Sequence, residues 1–115
     1  MVFDFTIEKK ENHAIITIGG NLIEKGQATP LLEKADELVT DGCIKWAIDM
    51  EKLLYMNSSG LNTLIQLLTK ARVAGGEAVL FNMNKKINEL ILITKLNTLF
   101  KVTETRDEAF KLLDV

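Results

Sequence analysis

The sequence is poor in the residues from which most catalytic sites are built. It holds one cysteine and one histidine in 115 residues. Cys43 cannot form an internal disulfide, and its place between Gly42 and the run Ile44 to Ile48 reads as the start of a buried strand, a small core residue rather than a reactive thiol. His13 has no Cys, His or clustered carboxylate at ligand spacing, so neither a metal site nor a histidine-dependent triad is expected. Gly19-Gly20 and Gly75-Gly76 match neither a P-loop nor a dinucleotide fingerprint, and no Gly-x-Ser-x-Gly elbow exists because Asn57 precedes Ser58-Ser59-Gly60. No cofactor and no enzymatic activity are expected.

Charge of one sign is also scarce. The formal net charge is −2 with acids and bases interspersed, so there is no basic field to neutralise nucleic-acid phosphates or settle on anionic lipid. The longest apolar stretches, such as Leu90 to Ile93 and Ala78 to Phe81, fall far short of the roughly 20 residues that span a bilayer. The first residues alternate apolar and polar side chains and include Asp4, unlike a secretion signal. A cytoplasmic protein without membrane insertion is expected. With 47% hydrophobic and 26% charged residues, residues 1–115 have the size and balance of one globular domain.

Phe3, Phe5 and Ile7 alternate with Asp4, Thr6 and Glu8, then a turn at Lys9 to Asn12 leads into Ala14 to Ile18, which predicts an antiparallel hairpin. Gly19-Gly20 is expected to end it, with a loop from Asn21 to Ala28. Thr29-Pro30 marks a helix start, and Leu31, Leu32, Ala35, Leu38 and Val39 form its apolar stripe up to about Asp41. Cys43 to Met50 predicts a central strand, in which Trp46 is core. A second helix from about Ser59 to Ala74 and a strand at Glu77 to Phe81 follow. Asn82 or Asn84 can cap a third helix whose face is Ile87, Leu90, Ile91 and Thr94; Leu92 and Ile93 lie off that stripe and mean either deeper burial or a contact patch. A short strand around Phe100 to Thr103 and a capping box, Thr105 with Glu108, open a last helix. The order β-β-α-β-α-β-α-β-α predicts an α/β fold: one mixed β-sheet with an N-terminal hairpin and four helices packed mainly on one face.

The stretch that organises the rest is Asp49 to Leu68. An apolar strand passes through a short loop, where Tyr55 and Met56 are expected to be buried supports, to Asn57-Ser58-Ser59-Gly60. From there Leu61, Leu64, Ile65 and Leu68 recur at helical spacing. Two hydroxyls therefore sit where a helix begins, beside unpaired backbone N–H groups and the positive end of the peptide dipoles. Either the serines merely cap the helix, or one is presented to a kinase, and a phosphate there would add a charge of about −1.5 to −2 without unfolding anything.

The run from Asp49 to Leu64 closely resembles the signature of the STAS domain, the sulphate-transporter and anti-sigma-antagonist family. In that family an apolar strand ends in Asp, a loop carries an apolar-aromatic-apolar step, and Asp-Ser-Ser/Thr-Gly-Leu opens a helix. Gly75-Gly76-Glu77 and Leu96 to Val102 also look like family features, so the likeness spans nearly the whole chain. The resemblance implies a stand-alone bacterial anti-anti-sigma factor that binds an anti-sigma factor with serine-kinase activity. It further implies phosphorylation of the first serine, Ser58, reversal by a serine phosphatase, and release of the partner on phosphorylation. The alternative is a phosphorylation-independent STAS adaptor that regulates a transporter or signalling complex.

Two positions depart from the family pattern. Asn57 stands where the family carries Asp, and the family's Gly-x-Leu/Ile-Asp reads Gly20-Asn21-Leu22-Ile23, with Glu24 adjacent. The expected docking surface comprises Asn57, Ser58, Ser59 and Gly60, with Asn21, Leu22, Ile23 and Glu24 alongside and Asn62, Thr63 and Gln66 on the outward helix face.

Overall fold

In a computed structural model, which describes residues 2–115, the chain forms five strands and four helices. They are β1 (Asp4–Lys9), β2 (His13–Leu22), α1 (Thr29–Thr40), β3 (Lys45–Met56), α2 (Ser58–Val73), β4 (Glu77–Phe81), α3 (Lys85–Ile93), β5 (Lys101–Thr103) and α4 (Arg106–Leu113). Short 3-10 turns cover Lys25–Ala28 and Leu96–Thr98. The sheet runs β1-β2-β3-β4-β5 in space; β1 and β2 are antiparallel and every other pair is parallel. This is the mixed sheet with a leading hairpin that the element order predicts.

Strand alternation divides the core between two faces. Ala14, Ile16 and Ile18 of β2, Trp46, Ile48 and Met50 of β3, and Ala78 and Leu80 of β4 pack under the apolar stripes of α1, α2 and α3. Each β-α-β connection thus lays its helix on the same face, as a common crossover hand requires. Ala47, Val79 and Phe81 point the other way and meet Ala109 and Leu113 of α4. Covered on both sides, β3 and β4 need the near-continuous apolar sequence they have. Trp46 is fully buried, its Nε1–H donating to the Cys43 carbonyl at 2.8 Å.

Several boundaries differ from the sequence expectation. β2 runs through Gly19-Gly20 to Leu22, and β3 continues past Met50 to Met56. Pairing slips between Thr17 and Gly19, opposite Asp49 and Lys52, and again between Gly20 and Asn21, opposite Leu53 and Tyr55. Each slip places an extra residue on β3, so its buried residues fall at Met50, Leu53 and Met56 and the period of two is lost. Thr29 does not cap α1; Ala28 stands at that position without a side-chain bond, because the 3-10 turn feeds directly into the helix. At α4 the Thr105 hydroxyl accepts from the Glu108 N–H at 3.2 Å and donates to the Glu108 carboxylate at 3.0 Å. The hydroxyl proton, rather than the Thr105 backbone N–H, therefore satisfies the acid. Gly76 is obligatory at the return into β4: a Cβ there would lie 1.7 Å from the Ile44 carbonyl oxygen.

Candidate functional site

The C-terminal ends of β2 and β3 converge on the first turn of α2. Gly60 permits this approach. A Cβ at Gly60 would stand 2.6 Å from both the Leu22 carbonyl oxygen and the Met56 Cβ, so any side chain would push the tip of α2 off the sheet. Leu22, Met56 and Gly60 are buried. They seat the tip rather than offer it to a visitor.

The helix is capped by Asn57, not by a serine. Its Oδ1 accepts from the N–H groups of Ser59 at 3.0 Å and Gly60 at 3.3 Å, satisfying two of the first-turn donors. The other end of the same amide, Nδ2, donates to the Ile23 carbonyl at 2.9 Å. A carboxylate could accept the first pair of bonds but could not make the third. The two positions at which the chain departs from the family pattern, Asn57 and Ile23, are therefore in direct contact. Gln27 orders the same loop, its Oε1 accepting from the N–H groups of Ile23 and Glu24 and its Nε2 donating to the Asn21 carbonyl. Asn84 repeats the device at α3: its Oδ1 accepts from Ile87 N–H at 2.8 Å and its Nδ2 donates to the Leu53 carbonyl at 2.9 Å. Asn82, the other cap candidate, instead takes a left-handed conformation with φ of 60° and donates to Asp49 and Glu51.

With the cap supplied by Asn57, Ser58 is the first helical residue of α2 and is exposed. It stands on a ridge between two grooves. On one side Ser58, Ser59, Asn62, Thr63 and Gln66 line a shallow polar depression of about 270 Å³. Five of the predicted docking residues thus share one surface. Thr63 contributes little area, being 4% exposed with its hydroxyl donating to the Ser59 carbonyl at 3.2 Å. Asn62, Ile23 and Glu24 are exposed, and Asn21, Asn57, Ser59 and Gln66 are partly so.

On the other side of Ser58 lies a groove of about 420 Å³ between α2 and α3, floored by Leu61, Ile87 and Leu90 and flanked by Tyr55, Lys86 and Ile93. Sequence reasoning missed it. Tyr55, expected inside, is 51% exposed, because the second bulge turns it outward while Met56 points in. Leu92 and Ile93 resolve as surface, with Ile93 78% exposed; their position off the α3 stripe was the available signal.

A recess of about 830 Å³ lies elsewhere, beyond the ends of β4 and β5, where Glu51, Glu104 and Glu108 face Asn82 and Asn88. Among the described residues no group of three or more His, Cys, Asp or Glu is placed to hold a metal ion. Burial pushes the Cys43 thiol up, with the Asp41 charge adding to this and Lys9 opposing it, so the thiol is held in its unreactive form. No helix among the described residues is long and apolar enough to cross a membrane.

A mixed five-strand sheet with four helices, which aims a serine-bearing helix tip outward, places the chain among the α/β domains. The STAS domain family model matches residues 4–109, and the chain belongs to that family. Solved structures share the fold. An anti-sigma factor antagonist from Mycobacterium paratuberculosis is 18% identical, with 98% of this chain and 95% of that chain covered at a TM-score of 0.77. The Bacillus cell fate determinant SpoIIAA in its phosphorylated form is 18% identical, with 94% and 97% covered at a TM-score of 0.71. An anti-sigma-factor antagonist (STAS) domain protein from Planctomyces limnophilus is 15% identical, with 96% and 98% covered at a TM-score of 0.80.

Proposed function

We propose that this chain is an anti-sigma factor antagonist, a non-catalytic binding module that engages an anti-sigma factor through the tip of α2 and is switched by phosphorylation of Ser58. The observation that carries the reading is the exposed position of Ser58 at the first residue of α2, relieved of capping by Asn57 and set between two grooves. A partner with serine-kinase activity can reach this hydroxyl without unfolding the helix. Ser58 Oγ takes the γ-phosphoryl group of ATP, ADP departs, and the hydroxyl proton passes to the kinase's base. The neutral ridge then carries a charge of about −1.5 to −2, which an interface fitted to a hydroxyl cannot bury without a cation. A serine phosphatase restores the hydroxyl. The polar depression beside Ser58, with Asn62 and Gln66, and the Asn21 to Glu24 segment tied to Asn57 form the rest of the docking surface.

The test is incubation with the cognate kinase and ATP followed by mass spectrometry, paired with partner binding by Ser58→Asp. A modified Ser58 peptide and lost binding support the proposal; an unmodified Ser58 and unimpaired binding by Ser58→Asp overturn it. The second outcome would leave a phosphorylation-independent adaptor of a transporter or signalling complex. That reading draws on one observation, the Asn57 amide committed at both ends in place of a carboxylate beside the hydroxyl.

A further inference from the structure

Resting on the reading of Ser58 as a phosphoryl acceptor, we infer that Lys86 is the cation that receives this phosphate within the same chain. Ser58 from α2 and Lys86 from α3 line one groove of about 420 Å³, in which Lys86 is the one cation among the lining residues. Lysine carries its ammonium on a flexible four-carbon stem, and a phosphoserine adds three acceptor oxygens beyond Oγ. Both side chains therefore border the space in which the phosphate would lie, and the flexible lysine stem is free to turn toward it.

Two features it shares with Lys85 leave Lys86, the one of the two that lines the groove, available for a phosphate. It follows Lys85 in the first turn of α3, a turn that carries no acidic residue. The helix dipole disfavours cations there and favours the arrangement seen in α4, which opens with Asp107 and Glu108. Lys86 also stands outside the ion pairs of the described residues, which employ Lys9, Lys10, Lys34, Lys70, Arg72 and Lys101. A cation placed against its own helix dipole, in the groove that Ser58 also lines, makes no ion pair among the described residues. It gains a partner when Ser58 gains a phosphate.

The consequence reaches beyond one residue. A phosphate drawn toward Lys86 lies across Leu61, Ile87 and Leu90, so the modification covers an apolar groove as well as charging the ridge. The other titratable groups lining this groove are Tyr55 on β3 and Glu89 on α3; Glu89 is the carboxylate that opposes the phosphate, and Lys86 the cation that holds it.

The experiment installs phosphoserine at position 58 during translation and follows its protonation by phosphorus NMR. With Lys86 present the phosphate should bind its proton about threefold more weakly than in Lys86→Gln, the size expected of an exposed charge pair. Added salt should shrink the difference, Lys86→Arg should keep it, and Lys85→Gln, outside the groove, should titrate like the unsubstituted chain. Superimposable curves for Lys86→Gln and the unsubstituted chain, or equal displacement by Lys85→Gln and Lys86→Gln, overturn the assignment. Because no kinase is used, such a result removes Lys86 and leaves the reading of Ser58 standing. Failure of a kinase to modify Ser58 would remove that reading and leave the titration valid.

Discussion

Replacing Asn57 by alanine separates what holds the tip of α2 from what the tip does. The substitution removes the acceptor that serves the Ser59 and Gly60 N–H groups and the donor that holds the Ile23 carbonyl. Loss of an N-cap costs about 1 kcal/mol, and loss of one exposed hydrogen bond about 0.5–1 kcal/mol more. Over 115 residues the unfolding entropy converts each kcal/mol into about 4 °C, so the midpoint should fall by about 6–8 °C. Asn57→Asp makes the decisive comparison. It keeps the acceptor and gains about 0.3–1 kcal/mol at the dipole's positive end, but it turns a carboxylate oxygen toward the Ile23 carbonyl. These terms oppose, so at neutral pH the aspartate variant should lie within about 1 kcal/mol of the unsubstituted chain. Thermal unfolding followed by far-UV circular dichroism reads both, and exchange of the Ser59 and Gly60 amides shows whether the loss is local. Asn84→Ala should behave like Asn57→Ala, because its amide spans α3 and the Leu53 carbonyl in the same manner. If Asn57→Ala leaves the midpoint unmoved, or Asn57→Asp loses as much as Asn57→Ala, the cap does not hold the tip and the argument fails.

Gly60→Ala gains about 1 kcal/mol of helix propensity but places a Cβ 2.6 Å from the Leu22 carbonyl oxygen and the Met56 Cβ. Overpacking against backbone costs about 1–3 kcal/mol, so urea titration should show a net loss together with weakened partner binding. Ser58→Asp should leave the urea midpoint within about 0.5 kcal/mol of the original, because the side chain is exposed, while partner binding measured by calorimetry disappears. Glu77 governs the acid side. Burial pushes its carboxyl up, but bonds from Arg72 and the Ala78 N–H and the charges of Arg72 and Lys101 outweigh this and hold it below the ordinary value of 4.5. A carboxyl lowered on folding stabilises above its unfolded value and loses that contribution as pH falls through its folded value. Stability should therefore fall as pH drops below about 4.5, and Glu77→Gln should flatten that part of the profile.

The elements that could be read from the sequence are those in which one period and one set of stop signals agree. α1, α2 and α4 each show a continuous apolar stripe, and the buried strand β4 sits between Gly76 and Asn82. β3 failed beyond Met50 for a definite reason: two bulges change which residues point inward, and no local pattern announces a bulge set by pairing with β2. Tyr55 was misplaced by the same slip. The motif pointed to the candidate site because Ser58, Ser59 and Gly60 are contiguous, whereas the α2–α3 groove joins Tyr55, Leu61 and Ile93 from three elements and exists only after folding.

The two departures from the family pattern are better understood as one. Read along the chain, Asn57 and Ile23 are separate losses of an acid in segments far apart in sequence. In the fold, the Asn57 amide donates to the Ile23 carbonyl while its oxygen caps α2. An aspartate at position 57 would leave that carbonyl facing a carboxylate, and a second acid at position 23 would bring another carboxylate to the same corner, so each acid makes the other more unfavourable. The exchange replaces a pair of acids beside Ser58 with a neutral bracket between two loops. On the proposed reading it leaves Lys86 to act on a phosphate at Ser58 without a competing carboxylate at position 57, and it ties the position of the serine to the order of the Ile23 loop. Restoring both acids together, as Asn57→Asp with Ile23→Asp, should therefore destabilise the fold by more than the sum of the single changes. A double-mutant cycle that came out additive would show that the two positions do not communicate.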